Sequence, residues 1–432
     1  MKKTSTPSNQ YPILILLILV PATLFLAGCT PQDDPLHLPQ TSPTLTKEMP
    51  ATSEEPAATE ITASEIKSMT FQISGVKKIC QLIGDFDLER DQPTTNLTGE
   101  QWNLSRTDLG IPFQHQGRTY MLFGDAWDPP DDPIAYTDDP DPDDCLDLVF
   151  LQGENGRYQP IQIPGISLGA FEVPTEGISV GDKIYLFAAT DHSPDQIMGR
   201  SVLSVSEDDG QTFQYLYDFS IDKFINLSIV EGAPNAATIY PGATNDGLVI
   251  FGSGAYRESD LYLAIQPASQ IDDRSSILYF SGMGIDSKPL WSQAESDADP
   301  LFSQPCIGEF SVTFNPYLQK WILLYNCHLE PFRGIILRLA DQPWGPWTAP
   351  IILFDPWEDE GYCHFIHTSW EHQECDQVYD PGRENEWGGE YGPYQFDSYA
   401  WGDDTSTTIY YTMSTWNPYT VVLMKAEITA QK

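Results

Sequence analysis

Arg106–Trp127 reads RTDLGIPFQHQGRTYMLFGDAW, two apolar runs separated by a polar Gln-Gly turn, and its reading decides the fold. The runs predict a β-hairpin, yet Asp108 precedes the first and Asp125 follows the second. Aspartate is a poor strand residue, and two carboxylates at one end of a hairpin repel. The same unit returns four times: EGISVGDKIYLFAATDH from Glu176, ATIYPGATNDGLVIFGSGAY from Ala237, FSVTFNPYLQKWILLYNCH from Phe310, and DSYAWGDDTSTTIYYTMSTW from Asp397. Helical periodicity is hard to find after residue 66. Five strand–turn–strand units at intervals of roughly 60–90 residues predict an all-β, five-bladed β-propeller. Runs such as SVLSVS, LYLAI, GIILRLA and VVLMKAEI supply outer strands.

Aligned, the units place Asp108, Glu176, Asn235, Glu309 and Asp397 just before their first strands. Equivalent strands of successive blades line a propeller's channel, so these positions converge on one funnel. Two carboxyl groups cleave a glycosidic bond, one protonating the leaving oxygen and the other acting as nucleophile or base. Crowding them raises the pKa of one, which makes an acid available near neutrality. Asp108 and Asp125 are therefore the candidate catalytic pair, with Glu176, Glu309, Asp397 and Asp85 as supporting carboxylates. A turn centred between Gln116 and Gly117 sets Asp108 directly across from Asp125, with Cβ atoms about 5 Å apart. That spacing suits a retaining mechanism. Trp127, Trp416 and Asn235 are candidate substrate contacts. His115 sits in the turn, at the opposite end, and is not counted as catalytic. SEDDGQTF, Ser206–Phe213, fits the Asp-box turn of propeller hairpins, with a structural Asp208.

The flanking sequence bears on location. Residues 1–29 hold Lys2, Lys3, an apolar run and LAGC, which reads as a lipoprotein signal with lipidation at Cys29. Residues 30–65 are rich in Pro, Thr, Ser and Glu without apolar periodicity, a disordered stalk. Residues 66–432 form the propeller. The expected place is the bacterial cell envelope, tethered to the membrane by lipid, with a polysaccharide as partner and a monomer as the working state. A formal net charge of −40 repels nucleic acid. Lipidation of Cys29 leaves Cys80, Cys145, Cys306, Cys327, Cys363 and Cys375, an even set that suggests disulfides, with Cys306–Cys327 the best pair. No metal or cofactor is expected. The acid run Asp128–Asp147 offers oxygen ligands of the kind calcium takes, a structural role, but lacks the Gly and Glu spacing of an EF-hand and reads as a solvated loop. His364 and His367, in EGYCHFIHTSWEHQEC, fit a disulfide-closed lid better than a metal site.

LIGDFD, RTDLGIPF, GRTYMLFGDAW, VPTEGISVGDKIYLF, IGEFSVTFNPYLQKWILLYN, WGPWTAP and YYTMSTWNPYTVVLMKA resemble domain of unknown function 4185. Enzymes of that group define glycoside hydrolase family 183, the bacterial endo-D-arabinanases. The resemblance runs from about Val76 to Ala426. It implies a five-bladed propeller without a cofactor, cleavage of D-arabinofuranosyl linkages, and a catalytic aspartate pair at Asp108 and Asp125. Two other classes stand beside this reading. One is a surface propeller that binds glycan without cleaving it. The other is a sialidase-like exo-enzyme, ranked last because arginine is scarce.

Overall fold

The computed structural model describes residues 70–431 apart from 128, 154–155, 194–197, 233–246 and 330–332. Successive side chains of a strand point to opposite faces, and Arg118–Gly124 uses both. Tyr120 and Leu122 pack with Ile184 and Leu186 of the next sheet, while Met121 and Phe123 pack with Phe396, Tyr410 and Leu423 of the preceding one. A strand buried on both faces needs no polar alternation, so YMLF is continuously apolar. Burying each such side chain stabilises the fold by about 1.5–3 kcal/mol.

Five antiparallel sheets repeat this scheme as a five-bladed β-propeller. From the channel outward, blade 1 is Asp108–His115, Arg118–Gly124, Ile134–Thr137 and Val149–Phe150. Blade 2 is Pro174–Val180, Lys183–Thr190, Arg200–Ser206 and Gln214–Ser220. Blade 3 has five strands, Asn226–Glu231, Gly247–Ser253, Tyr262–Pro267, Leu278–Met283 and Pro289–Ser292. Blade 4 is Phe310–Asn315, Lys320–Asn326, Ile335–Ala340 and Ile351–Phe354. In blade 5, Glu390–Gly402, Ser406–Thr415 and Thr420–Gln431 are completed by the N-terminal strand Thr70–Gln81. The ring thus closes by joining the first strand to the last. Apolar clusters fill each gap between blades, and polar side chains on the first and second strands stitch them together. Ser228 Oγ accepts Val312 N at 3.0 Å, Ser311 Oγ donates to the Pro393 carbonyl at 2.6 Å, and Ser414 Oγ accepts Leu109 N at 2.8 Å.

The structure changes the alignment of three units. The inner strand of blade 3 is Asn226–Glu231, not the run from Ala237. Its sequence NLSIVE alternates polar and apolar residues because one face meets the channel, so it reads as a weak strand. Asn235 lies outside the described residues. The inner strand of blade 5 is thirteen residues long and starts at Glu390, which puts Asp397 past its midpoint. In blade 2 the strand starts at Pro174, two residues before Glu176.

Three disulfides form: Cys80–Cys145, Cys306–Cys327 and Cys363–Cys375. The Asp-box is a turn held by its own side chains, with Asp208 accepting Thr212 N at 2.8 Å and Thr212 Oγ1 at 2.7 Å. Among the described residues, no helix is long and apolar enough to cross a membrane.

Candidate active site

The opening hairpin turns at Gln116-Gly117, with His115 opposite Arg118. A bulge between Leu109 and Ile111 then shifts the register, so Asp108 pairs with Gly124 rather than with Asp125. Gly110 makes the bulge with φ +83°, a region open to glycine. The direct opposition expected from an unbroken ladder is therefore replaced by a one-residue offset. A Cβ on Gly124 would lie 2.7 Å from Leu109 Cδ1 and 3.1 Å from Asp108 Oδ1, so the Phe-Gly-Asp glycine leaves room for the carboxyl of Asp108 beside Asp125.

Asp108 is buried. Its Oδ2 accepts the Tyr391 hydroxyl at 2.8 Å, and among the described residues no bond of good geometry reaches the buried Oδ1. Burial, then the charge of Asp125, raises its pKa well above the usual carboxylate range, against the pull of the Tyr391 hydroxyl. Asp125 is fixed by its backbone at φ 47°, a left-handed conformation that aspartate tolerates. Its N–H donates to Asp132 Oδ1 at 3.0 Å, its carbonyl accepts the Tyr419 hydroxyl at 3.3 Å, and its Oδ1 accepts Phe171 N at 2.8 Å. Burial pushes its pKa up to about 6, partly offset by the Phe171 N–H.

Both aspartates line one cavity of about 540 Å³, together with Glu309 and Glu390. Glu309 is an acid held ionised. Burial opposes its charge, yet Arg257 and Asn326 hold its pKa below the usual range. Arg257 grips it with two bonds, Nη2–Oε1 at 2.9 Å and Nε–Oε2 at 3.2 Å. Glu390 is the reverse. Its Oε1 accepts Gly334 N at 2.9 Å, no bond of good geometry reaches the buried Oε2, and burial pushes its pKa up to about 7. His328, also on the wall, is driven toward its neutral form by burial and by the charge of Arg257.

The other expected residues are placed elsewhere. Glu176 and Asp397 line a second cavity of about 370 Å³, with Tyr394 on the wall of both. There Glu176 accepts Ile229 N at 2.9 Å, bridging blades 2 and 3, and burial pushes its pKa up to about 8. Asp85 is exposed and accepts Gly99 N at 2.8 Å and Glu100 N at 3.1 Å, capping the short helix Thr98–Trp102. Trp127 sits behind the cavity, stacked on Tyr419 with centroids 5.1 Å apart, whereas Trp416 lines it. His115 bonds Ser179 and Asp209 at the far end of the hairpin.

In the acid run, Asp131 pairs with Arg157, Asp143 pairs with Lys425, and Asp139 and Asp141 accept local backbone N–H groups. Both ring nitrogens of His367 are engaged, by Asp376 and the Glu384 carbonyl. Within the long connection between blades 4 and 5, the Cys363–Cys375 disulfide closes a short loop, and Tyr362 and Trp387 line the cavity.

Glu390, Tyr391 and Arg257 escaped the sequence reading. Glu390-Tyr391-Gly392 repeats the acid–apolar–glycine order of Asp108-Leu109-Gly110, a signal that was available. Arg257 carries no such mark.

Comparison with solved structures finds distant likenesses. An exo-β-1,3-galactanase of Phanerochaete chrysosporium bound to β-1,3-galactotriose matches at 8% identity and TM-score 0.43, over 80% of this chain and 64% of that one. This chain therefore spans less than two thirds of that protein's length. A protein of unknown function from Dyadobacter fermentans matches at 11% identity and TM-score 0.37, over 83% of this chain and 100% of that one. A family 117 glycoside hydrolase of Zobellia galactanivorans gives 11% identity and TM-score 0.37, over 84% and 90%. No curated protein matches the chain. Residues 94–425 match the family described as "Domain of unknown function (DUF4185)", and the chain belongs to that family.

Proposed function

We propose that this protein is a glycoside hydrolase that cleaves arabinofuranosyl linkages, acting within chains of D-arabinan. One observation carries the hydrolytic reading: Asp108 and Asp125 share a cavity, with their pKa values raised to different degrees. Two carboxyl groups driven apart in this way divide the roles of acid and base. Asp108, its pKa raised by burial and by the charge of Asp125, takes the part of the acid. Tyr391 donates to Oδ2, and the carboxyl gives its proton to the leaving glycosidic oxygen. Asp125 is ionised above about pH 6 and serves as nucleophile, or as the base that takes a proton from water. Because the bulge offsets the two residues, the retaining geometry expected from direct opposition has no support. Glu309, kept charged by Arg257, and Glu390 are the supporting carboxylates and receive sugar hydroxyls. The D-arabinan assignment rests on the family resemblance. Lipid attachment at Cys29 and an exported location belong to the same reading. The three disulfides support the exported location, since such bonds persist in oxidising compartments.

The test is incubation of the chain with a panel of arabinans, beside Asp108→Asn and Asp125→Asn, with products separated by chromatography. Loss of about 10²–10⁴-fold in rate in each variant is expected for a group that transfers protons. Turnover surviving both substitutions removes the assignment. Binding without turnover in the parent favours a glycan-binding propeller.

A further inference from the structure

Four aromatic side chains extend from the cavity along the connection between blades 4 and 5. Trp387 and Tyr362 line the cavity, with ring centroids 5.4 Å apart at 70°. Trp357 lies beyond them, 4.8 Å from Tyr362 and 6.3 Å from Trp387, and His372 is 5.0 Å from Trp387. Trp357 and Trp387 remain 38% and 42% exposed. Rings meeting at steep angles buttress one another from the side, so the cluster is preformed while much of each indole still faces solvent. The Cys363–Cys375 disulfide and the bonds of Asp359 N to the Asp355 carbonyl and of Gly361 N to the Pro356 carbonyl fix the segment that carries them.

Exposed, rigid aromatic surface that runs on from a binding cavity marks an interaction site. The surrounding charge decides its partner. Residues 355–390 hold eleven Asp and Glu against one arginine. A polyanion or an anionic membrane is repelled there. A neutral, hydroxyl-rich chain is not, since carboxylates accept hydroxyl hydrogens while C–H faces of sugar rings cover indoles. We propose that Trp357, Tyr362, His372 and Trp387 form a ramp of accessory subsites, which holds the neutral polysaccharide beyond the sugar unit at the carboxylates. This rests on the glycosidase reading above and adds to it. Cleavage would favour long chains, and the ramp would set on which side of the cut the chain must extend.

The experiment measures binding of neutral arabino-oligosaccharides of two to eight units to the full chain carrying Asp125→Asn, by intrinsic fluorescence. Trp357→Ala, Trp357→Phe and Trp401→Ala are added singly, Trp401 being 55% exposed and remote from the cavity lining. Affinity is expected to rise with length in the parent background. Trp357→Ala should weaken the longest ligand roughly two- to tenfold, the range of one aromatic contact, with the loss growing along the series. Trp357→Phe should fall between, and Trp401→Ala should match the parent. Equal affinity at every length, or an unchanged length dependence in Trp357→Ala, overturns the ramp while leaving the cavity reading intact. Failure of all lengths to bind the parent overturns both.

Discussion

Replacing Arg257 with methionine tests the electrostatics of the cavity, because the size of the effect depends on pH. The Arg257–Glu309 pair is largely withdrawn from water, its side chains 26% and 12% exposed, and Tyr256 and Asn326 add bonds to the same carboxylate at 3.2 and 2.9 Å. Removing one partner of a buried pair leaves an uncompensated charge and costs about 3–5 kcal/mol. With about 2 cal/mol/K of unfolding entropy per residue over roughly 365 residues, that lowers the melting temperature by about 4–7 °C. In the parent, the depressed pKa of Glu309 means a contribution present above the unfolded value and lost as pH falls through the folded one. In Arg257→Met burial dominates and lifts the folded pKa above the unfolded value. The remaining stability is then present at low pH and lost as pH rises. The difference in melting temperature between parent and variant should thus be largest near pH 7 and shrink toward pH ~4, within the ordinary glutamate range. Adding Glu309→Gln removes the stranded charge and should recover most of the loss at neutral pH. A difference that is equal at both pH values, or a double variant no better than Arg257→Met, would refute the reasoning.

Four further outcomes are expected. The rate should fall on the acid side as pH drops through about 6, where Asp125 protonates, and on the alkaline side as Asp108 ionises. Tyr391→Phe removes a donor that favours ionised Asp108, so a pH–rate profile should show the alkaline limb moved to higher pH and the acid limb unmoved. Gly124→Ala places a Cβ against Leu109, Val173 and Asp108, which should cost about 1–3 kcal/mol by overpacking and lower kcat more than it raises KM. Paired Cys80→Ser and Cys145→Ser substitutions release a crosslink spanning 65 residues. Denaturant unfolding should then show a loss of about 4 kcal/mol.

The sequence showed the architecture better than the alignment within it. Second strands such as YMLFG and KWILLYN, buried on both faces, announce themselves by hydrophobicity alone. Inner strands do not, because their channel-facing positions carry Ser228, Ser311 and Gln395, which bond across blades. The inner strand of blade 3 thus begins eleven residues before the more apolar run at Ala237. The bulge at Gly110 was hidden for another reason, since an extra residue leaves the hydrophobic pattern on either side intact. In blade 5, bulges lengthen the inner strand and separate Glu390 from its apparent counterpart Asp397. Arg257 was beyond reach, because its partner lies 52 residues away and only the folded ring brings them together.

The closure of the ring has a mechanical side. Thr70, the first residue of the outermost strand of blade 5, pairs with Gln431 near the other end of the chain. Tension arriving from upstream of Thr70 enters the propeller at this edge, where rungs between the two strands would yield one after another. Cys80 stands almost at the far end of that strand and is covalently joined to Cys145 beside blade 1. Separation that starts at Thr70 must therefore stop there, with blade 5 still holding three of its strands and the load passed to its neighbour. Under reducing conditions the same edge has no stop, and peeling would continue into the gap between the two blades that carry the aspartate hairpin and its Tyr391 partner.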